Sequence, residues 1–100
     1  MITIESRYGA VEVSGHADYA PKGQDIICAS VSILLYTLAA ALGEDVEDLK
    51  LDNGDSRITW RTTKRTNQVA SVINEGFRLL SQSYPHYVSY EFRKQGVTPK

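Results

Sequence analysis

Ser14-Gly15-His16-Ala17-Asp18-Tyr19-Ala20-Pro21-Lys22-Gly23-Gln24-Asp25-Ile26-Ile27-Cys28-Ala29-Ser30-Val31-Ser32 is the stretch in which the chain changes its period. Just before and at its start, Val11 and Val13 alternate with Glu12 and Ser14, as in a half-buried strand. After it, Ile27, Val31, Leu34, Leu35, Leu38 and Leu42 recur at helical spacing along one broad stripe. Asp25 suits the cap or first turn of that helix, Ala39-Ala40-Ala41 favours its propagation, and Gly43 marks its stop. Between strand and helix, Ala17 to Gln24 reads as a loop, with Tyr19, Ala20 and Pro21 as its apolar part and Gly23 near its end. Gly15 shares the parity of Val11 and Val13, whereas His16 departs from it.

Outward from this stretch the same two periods repeat. Upstream, Ile2 and Ile4 alternate with Thr3 and Glu5, and Arg7-Tyr8-Gly9 reads as the turn of an antiparallel hairpin. Downstream, Glu44 to Asp48 reads as an acidic connector, and Leu49 and Leu51 begin a strand. Asn53-Gly54 is a strong hairpin signal, and Ile58 and Trp60 alternate in the returning strand. Thr66 or Asn67 is the expected cap of a second helix, with Val69, Val72, Ile73, Gly76, Phe77 and Leu80 as its stripe. Pro85 ends it, and Val88, Tyr90 and Phe92 share a face of a last strand, Tyr87 to Phe92. The expected fold is α+β, of order ββαββαβ, with a mainly antiparallel sheet and both helices on one face. One domain is expected over residues 1–94, with 95–100 as a disordered tail. Trp60, Tyr87 and the Tyr90/Phe92 face are either core or a dimer contact.

Composition narrows the function. One hundred residues, 42% hydrophobic, suffice for one core, and a net charge of -1 argues against nucleic acid held by bulk charge. The first residues lack the pattern of a signal peptide, and no uninterrupted apolar run reaches the ~18 residues of a membrane span. Ile26 to Leu42 comes nearest, interrupted by Ser30, Ser32, Tyr36 and Thr37. A single cysteine makes no internal disulfide and no cysteine zinc cluster, so a cytoplasmic protein without metal or cofactor is expected.

Cys28 lies twelve positions after His16, a tether long enough for the two side chains to meet. With Asp25 as cap, Cys28 falls in the first helical turn, where the helix dipole favours an anion, and a neighbouring histidine can take the thiol proton. Each residue also has a plainer reading. Cys28 can be a small buried hydrophobe, His16 a strand-end residue bonded to backbone, Asp25 only a cap and Ser32 a back-bonding hydroxyl. Gly15 and Gly23 read as backbone devices, and His86 as an exposed residue and rival base.

Ser-Gly-His-Ala, followed after a short loop by Gly-x-Asp-Ile-Ile-Cys-Ala-x-Val-Ser, resembles the signature of the ribosomal-processing cysteine protease family, Prp. Gly15, His16, Gly23, Asp25, Cys28, Ala29, Val31 and Ser32 match it, and Ser30 replaces a usual alanine. The resemblance implies a cytoplasmic homodimer with Cys28 as nucleophile and His16 as base, supported by Asp25, Ser32, Gly15 and Gly23. It implies a substrate-binding loop with Ala17, Tyr19, Ala20 and Pro21. The implied substrate is the N-terminal extension of a large-subunit ribosomal protein, cut after an aromatic residue, or a phage capsid or scaffold protein. The competing readings are a non-catalytic dimeric peptide-binding module and a thiol redox sensor, the latter lacking a resolving cysteine in the chain.

Overall fold

The computed structural model describes residues 1–17, 25–52 and 54–94. Strands β1 (Ile2–Arg7) and β2 (Ala10–Ser14) form the expected hairpin, with Ile4 opposite Val13. Helix α1 (Ile26–Leu42) follows, then a short 3-10 turn (Gly43–Asp45) and the hairpin of β3 (Val46–Asp52) and β4 (Asp55–Trp60). Helix α2 (Lys64–Ser83) and strand β5 (Val88–Phe92) complete the order ββαββαβ. The strands lie β3-β4-β2-β1-β5, antiparallel except that β5 runs parallel to β1.

The alternation in each strand decides which face is covered. Ile2, Ile4, Val11, Val13, Ile58, Trp60 and Val88 form one buried cluster with Ile27, Val31, Leu35, Leu38 and Leu42 of α1 and Ala70, Ile73 and Phe77 of α2. Both helices therefore share one core against one sheet face. The other face carries Lys50, Arg57, Glu12, Glu5 and Glu91 side by side across all five strands. It is a charged surface. Trp60 belongs to the core, Tyr90 leans on Phe77, and Phe92 meets Tyr8 edge to face at 5.3 Å.

Several local expectations change. The acidic segment before Leu49 is strand from Val46 onward, because it pairs with β4, Val46 opposite Trp60 and Asp48 opposite Thr59. Arg61 and Arg65 hold Asp45, and Arg57 holds Asp48 at 3.2 Å. The cap of α2 is Thr63, three residues earlier than Thr66. Thr66 is instead the reciprocal partner in a capping box: its hydroxyl accepts from the Thr63 N–H at 2.7 Å and donates to the Arg61 carbonyl at 2.8 Å. The buried stripe of α2 is Thr66, Ala70, Ile73 and Phe77, while Val72, next to Ile73 but turned about 100° around the axis, is 70% exposed. By composition, the segment Ile26–Asp45 is apolar enough to span a bilayer, contrary to the count of interrupting polar residues. Its stripe Ile27-Val31-Leu35-Leu38-Leu42 is buried against the sheet and α2, while Ile26, Ile33 and Tyr36 face outward.

Candidate active site

The end of β2 and the start of α1 line one cleft. β2 stops at Ser14 because Gly15 turns the backbone to φ +91°, where a Cβ would strike the Met1 carbonyl oxygen. The Gly15 N–H donates to the Gly54 carbonyl at 3.0 Å, which ties the end of β2 to the turn between β3 and β4. His16 is therefore delivered beside that turn, exposed to solvent. Ala17 returns to the core, at 3% exposed. Gly23, Tyr19, Ala20 and Pro21 lie outside the described residues.

Asp25 begins α1. One of its carboxylate oxygens accepts from the Ile27 N–H and the Cys28 N–H, both at 3.0 Å, and its carbonyl accepts from the Ala29 N–H at 3.2 Å. Asp25 is thus the helix cap, and Cys28 is the third helical residue, half-buried. The N–H groups of Ile27, Cys28 and Ala29 are all engaged by Asp25.

His16 and Cys28 line the same cleft, of about 60 Å³. Gly15, Val13 and Ile2 form its sheet wall, and Val31, Ser32 and Leu35 its helix wall. Ser32 is therefore in the site, one turn beyond Cys28. His86 is exposed and is not among the cleft residues. Asp52, Gly54, Asp55 and Ser56 complete the rim. Pattern reading of the sequence does not single these out as site residues. The Asn-Gly signal announces a tight turn there, but only the β2–β4 pairing places that turn beside His16. The rim is charged. Lys50 donates to Asp55 at 2.8 Å, and this contact holds the Asp55 carboxyl below its ordinary range and the Lys50 ammonium above its own. A wider hollow of about 190 Å³ continues between α1 and β3, lined by Ser32, Leu35, Tyr36, Leu51, Asp52 and Ser56. Cleft and hollow share Ser32, Leu35, Asp52 and Ser56, so together they make one groove of mixed polar and apolar lining with an acidic lip.

Comparison with known proteins shows the family of the chain. The family model described as cysteine protease Prp matches residues 1–89. The chain belongs to the Prp family. Its relatives include the ribosomal processing cysteine protease Prp of Mycoplasma pneumoniae, 32% identical over 95% of this chain and 98% of the relative. The Prp of Mycoplasma genitalium is 29% identical over 88% of this chain and 92% of its own. Among solved structures, Prp from S. aureus with a covalently linked product peptide superposes with a TM-score of 0.83. It covers 93% of this chain and 100% of that one at 20% identity. SMU.848 from Streptococcus mutans superposes with a TM-score of 0.75 at 27% identity, over 94% and 93% of the two chains. The expected α+β fold is thus the fold of Prp structures, and the chain is a cysteine peptidase of the ribosomal-processing family.

Proposed function

We propose that this Prp-family peptidase removes a short N-terminal extension from a large-subunit ribosomal protein, with Cys28 as nucleophile and His16 as general base and acid. The observation that carries the reading is the shared cleft. The cysteine opens the first helix, the histidine follows the second strand, and both line one small hollow that shares four residues with a wider groove. Two further facts support it. The relatives bear the name ribosomal processing cysteine protease, and the S. aureus Prp has been seen with a substrate peptide and with a covalently linked product peptide.

The chemistry follows from the side chains. His16 takes the Cys28 proton, and the thiolate sulfur adds to the scissile carbonyl carbon. The tetrahedral adduct collapses as the C–N bond breaks, and the imidazolium returns its proton to the departing amine. Water, deprotonated by His16, then attacks the thioester carbonyl and releases the acid product and the thiol. The groove beside Leu35, Tyr36 and Leu51, with Ser32, Asp52 and Ser56 as its polar lining, gives room for a peptide next to Cys28. The working form is a cytoplasmic homodimer in this reading. The outer stripe of α1 supports the dimer: Ile26, Ile33 and Tyr36 are 55%, 60% and 54% exposed on one side of the helix.

The test is incubation with the ribosomal protein carrying its extension, followed by intact mass. The expected result is one cut that removes the extension, abolished by Cys28→Ala while the variant still binds the peptide. His16→Ala should slow it by about 10²–10⁴-fold. A phage capsid or scaffold protein cut instead would redirect the substrate assignment. A protein that binds the peptide without ever cutting it would be the binding module.

A further inference from the structure

The turn between β3 and β4 carries no side chain where it faces the imidazole. A Cβ built on Gly54 would lie 2.6 Å from His16 Nε2, 3.0 Å from Cε1 and 3.4 Å from Cδ2. Contacts below 3.0 Å are essentially never made by real Cβ atoms, so ring and methyl exclude each other. The three atoms lie along the far edge of the ring, which therefore rests directly on the Gly54 backbone. The same residue fixes the backbone on the other side of the histidine, because its carbonyl accepts from the Gly15 N–H at 3.0 Å. Gly54 also holds φ at +81°, a conformation costly for residues with side chains.

We propose that Gly54 is a positioning residue for His16. The hairpin omits a side chain at this point so that the imidazole can rest on the turn, inside the cleft it shares with Cys28. The inference rests on His16 acting as the base. Added bulk at residue 54 has one easy escape, since the atoms it meets are the tip of a rotatable side chain in solvent. The ring swings away and the sheet stays. The expected signature is therefore lost chemistry with retained fold.

Gly54→Ala is compared with Gly43→Ala, which also places a methyl at positive φ, +58°, but with nothing within 4 Å of it. Gly54→Ala should lower kcat by about 10–10²-fold with KM nearly unchanged, and the ring signals of His16 should move in the NMR spectrum. Gly43→Ala should lower Tm yet keep kcat within about twofold of the parent. Parent-like kcat and unmoved His16 signals in Gly54→Ala would overturn the proposal. Should Gly54→Ala fold poorly, Gly54→Asn, which tolerates positive φ better, takes its place. Displaced His16 ring signals with a native-like spectrum elsewhere are expected, and unmoved His16 signals would overturn the proposal. The spectrum needs no turnover. If the parent cuts no extension, the functional reading fails, while the His16 signals still decide whether Gly54 sets the position of the ring.

Discussion

At Cys28 two local effects oppose each other. The first turn of α1 offers a partial positive charge to a thiolate, but the Asp25 carboxylate is hydrogen-bonded to the Cys28 N–H and sets a full negative charge nearby. The cap stabilises the helix and taxes the anion. Within this reading, the compensating charge is the imidazolium of His16, which explains why the site needs a histidine from another element. Asp25→Ala separates the two roles. It should cost about 1 kcal/mol of stability, or about 4–8 °C in Tm for a domain of this size, measured by thermal unfolding. An unchanged Tm would contradict the capping role. This much was legible from the residues themselves, since a carboxylate before an apolar helical run is a recognisable cap. The early cap of α2 was less legible. Thr63, Thr66 and Asn67 all offer capping oxygens, and only the buried hydroxyl of Thr66 bridging two backbone groups settles which is N-cap and which is N3.

Between elements, the end of α1 is latched to α2 and to the start of β3. Arg65 donates to the Ala41 and Leu42 carbonyls, the groups a helix leaves unpaired at its C-terminus, and to the Asp45 carboxylate. Arg61 holds the other Asp45 oxygen. The hydrogen bond from Arg65, then that from Arg61, keeps the Asp45 carboxyl below its ordinary value of 3.8. A carboxyl depressed on folding stabilises fully above its unfolded pKa, and that contribution is lost as pH falls through the folded one. Compared with Asp45→Asn, the parent should hold its advantage in Tm at neutral pH and lose it progressively below about pH 4. A gap that stayed constant from pH 7 to pH 2 would contradict the latch. Neither this latch nor the strand character of Val46–Asp52 could be read locally. An acidic run looks like a connector until the arginines that match it, as far away as Arg57, Arg61 and Arg65, are brought beside it by the fold.

For the molecule as a whole, the two periods in the sequence were enough to define the ββαββαβ order and the single core, because each element buries only one face. Strand neighbours were not in that pattern. That β4 pairs with β2, and β5 runs parallel to β1, depends on contacts between residues more than 40 positions apart. Those pairings decide that Gly54 rather than some other turn meets His16. They also decide that the uncovered sheet face is charged, which moves the expected dimer contact to the outer stripe of α1. Ile33→Asp should then shift the protein from dimer to monomer in light scattering while preserving its far-UV spectrum. A parent that is monomeric, or a variant that still dimerises, would contradict that placement. The central claim is that imidazole and thiol work as one group, and alkylation of Cys28 by iodoacetamide at neutral pH reads it without any substrate. The parent should react about tenfold or more faster than His16→Ala, because the neighbouring ring holds the sulfur as thiolate. Equal rates in the two proteins would contradict the dyad.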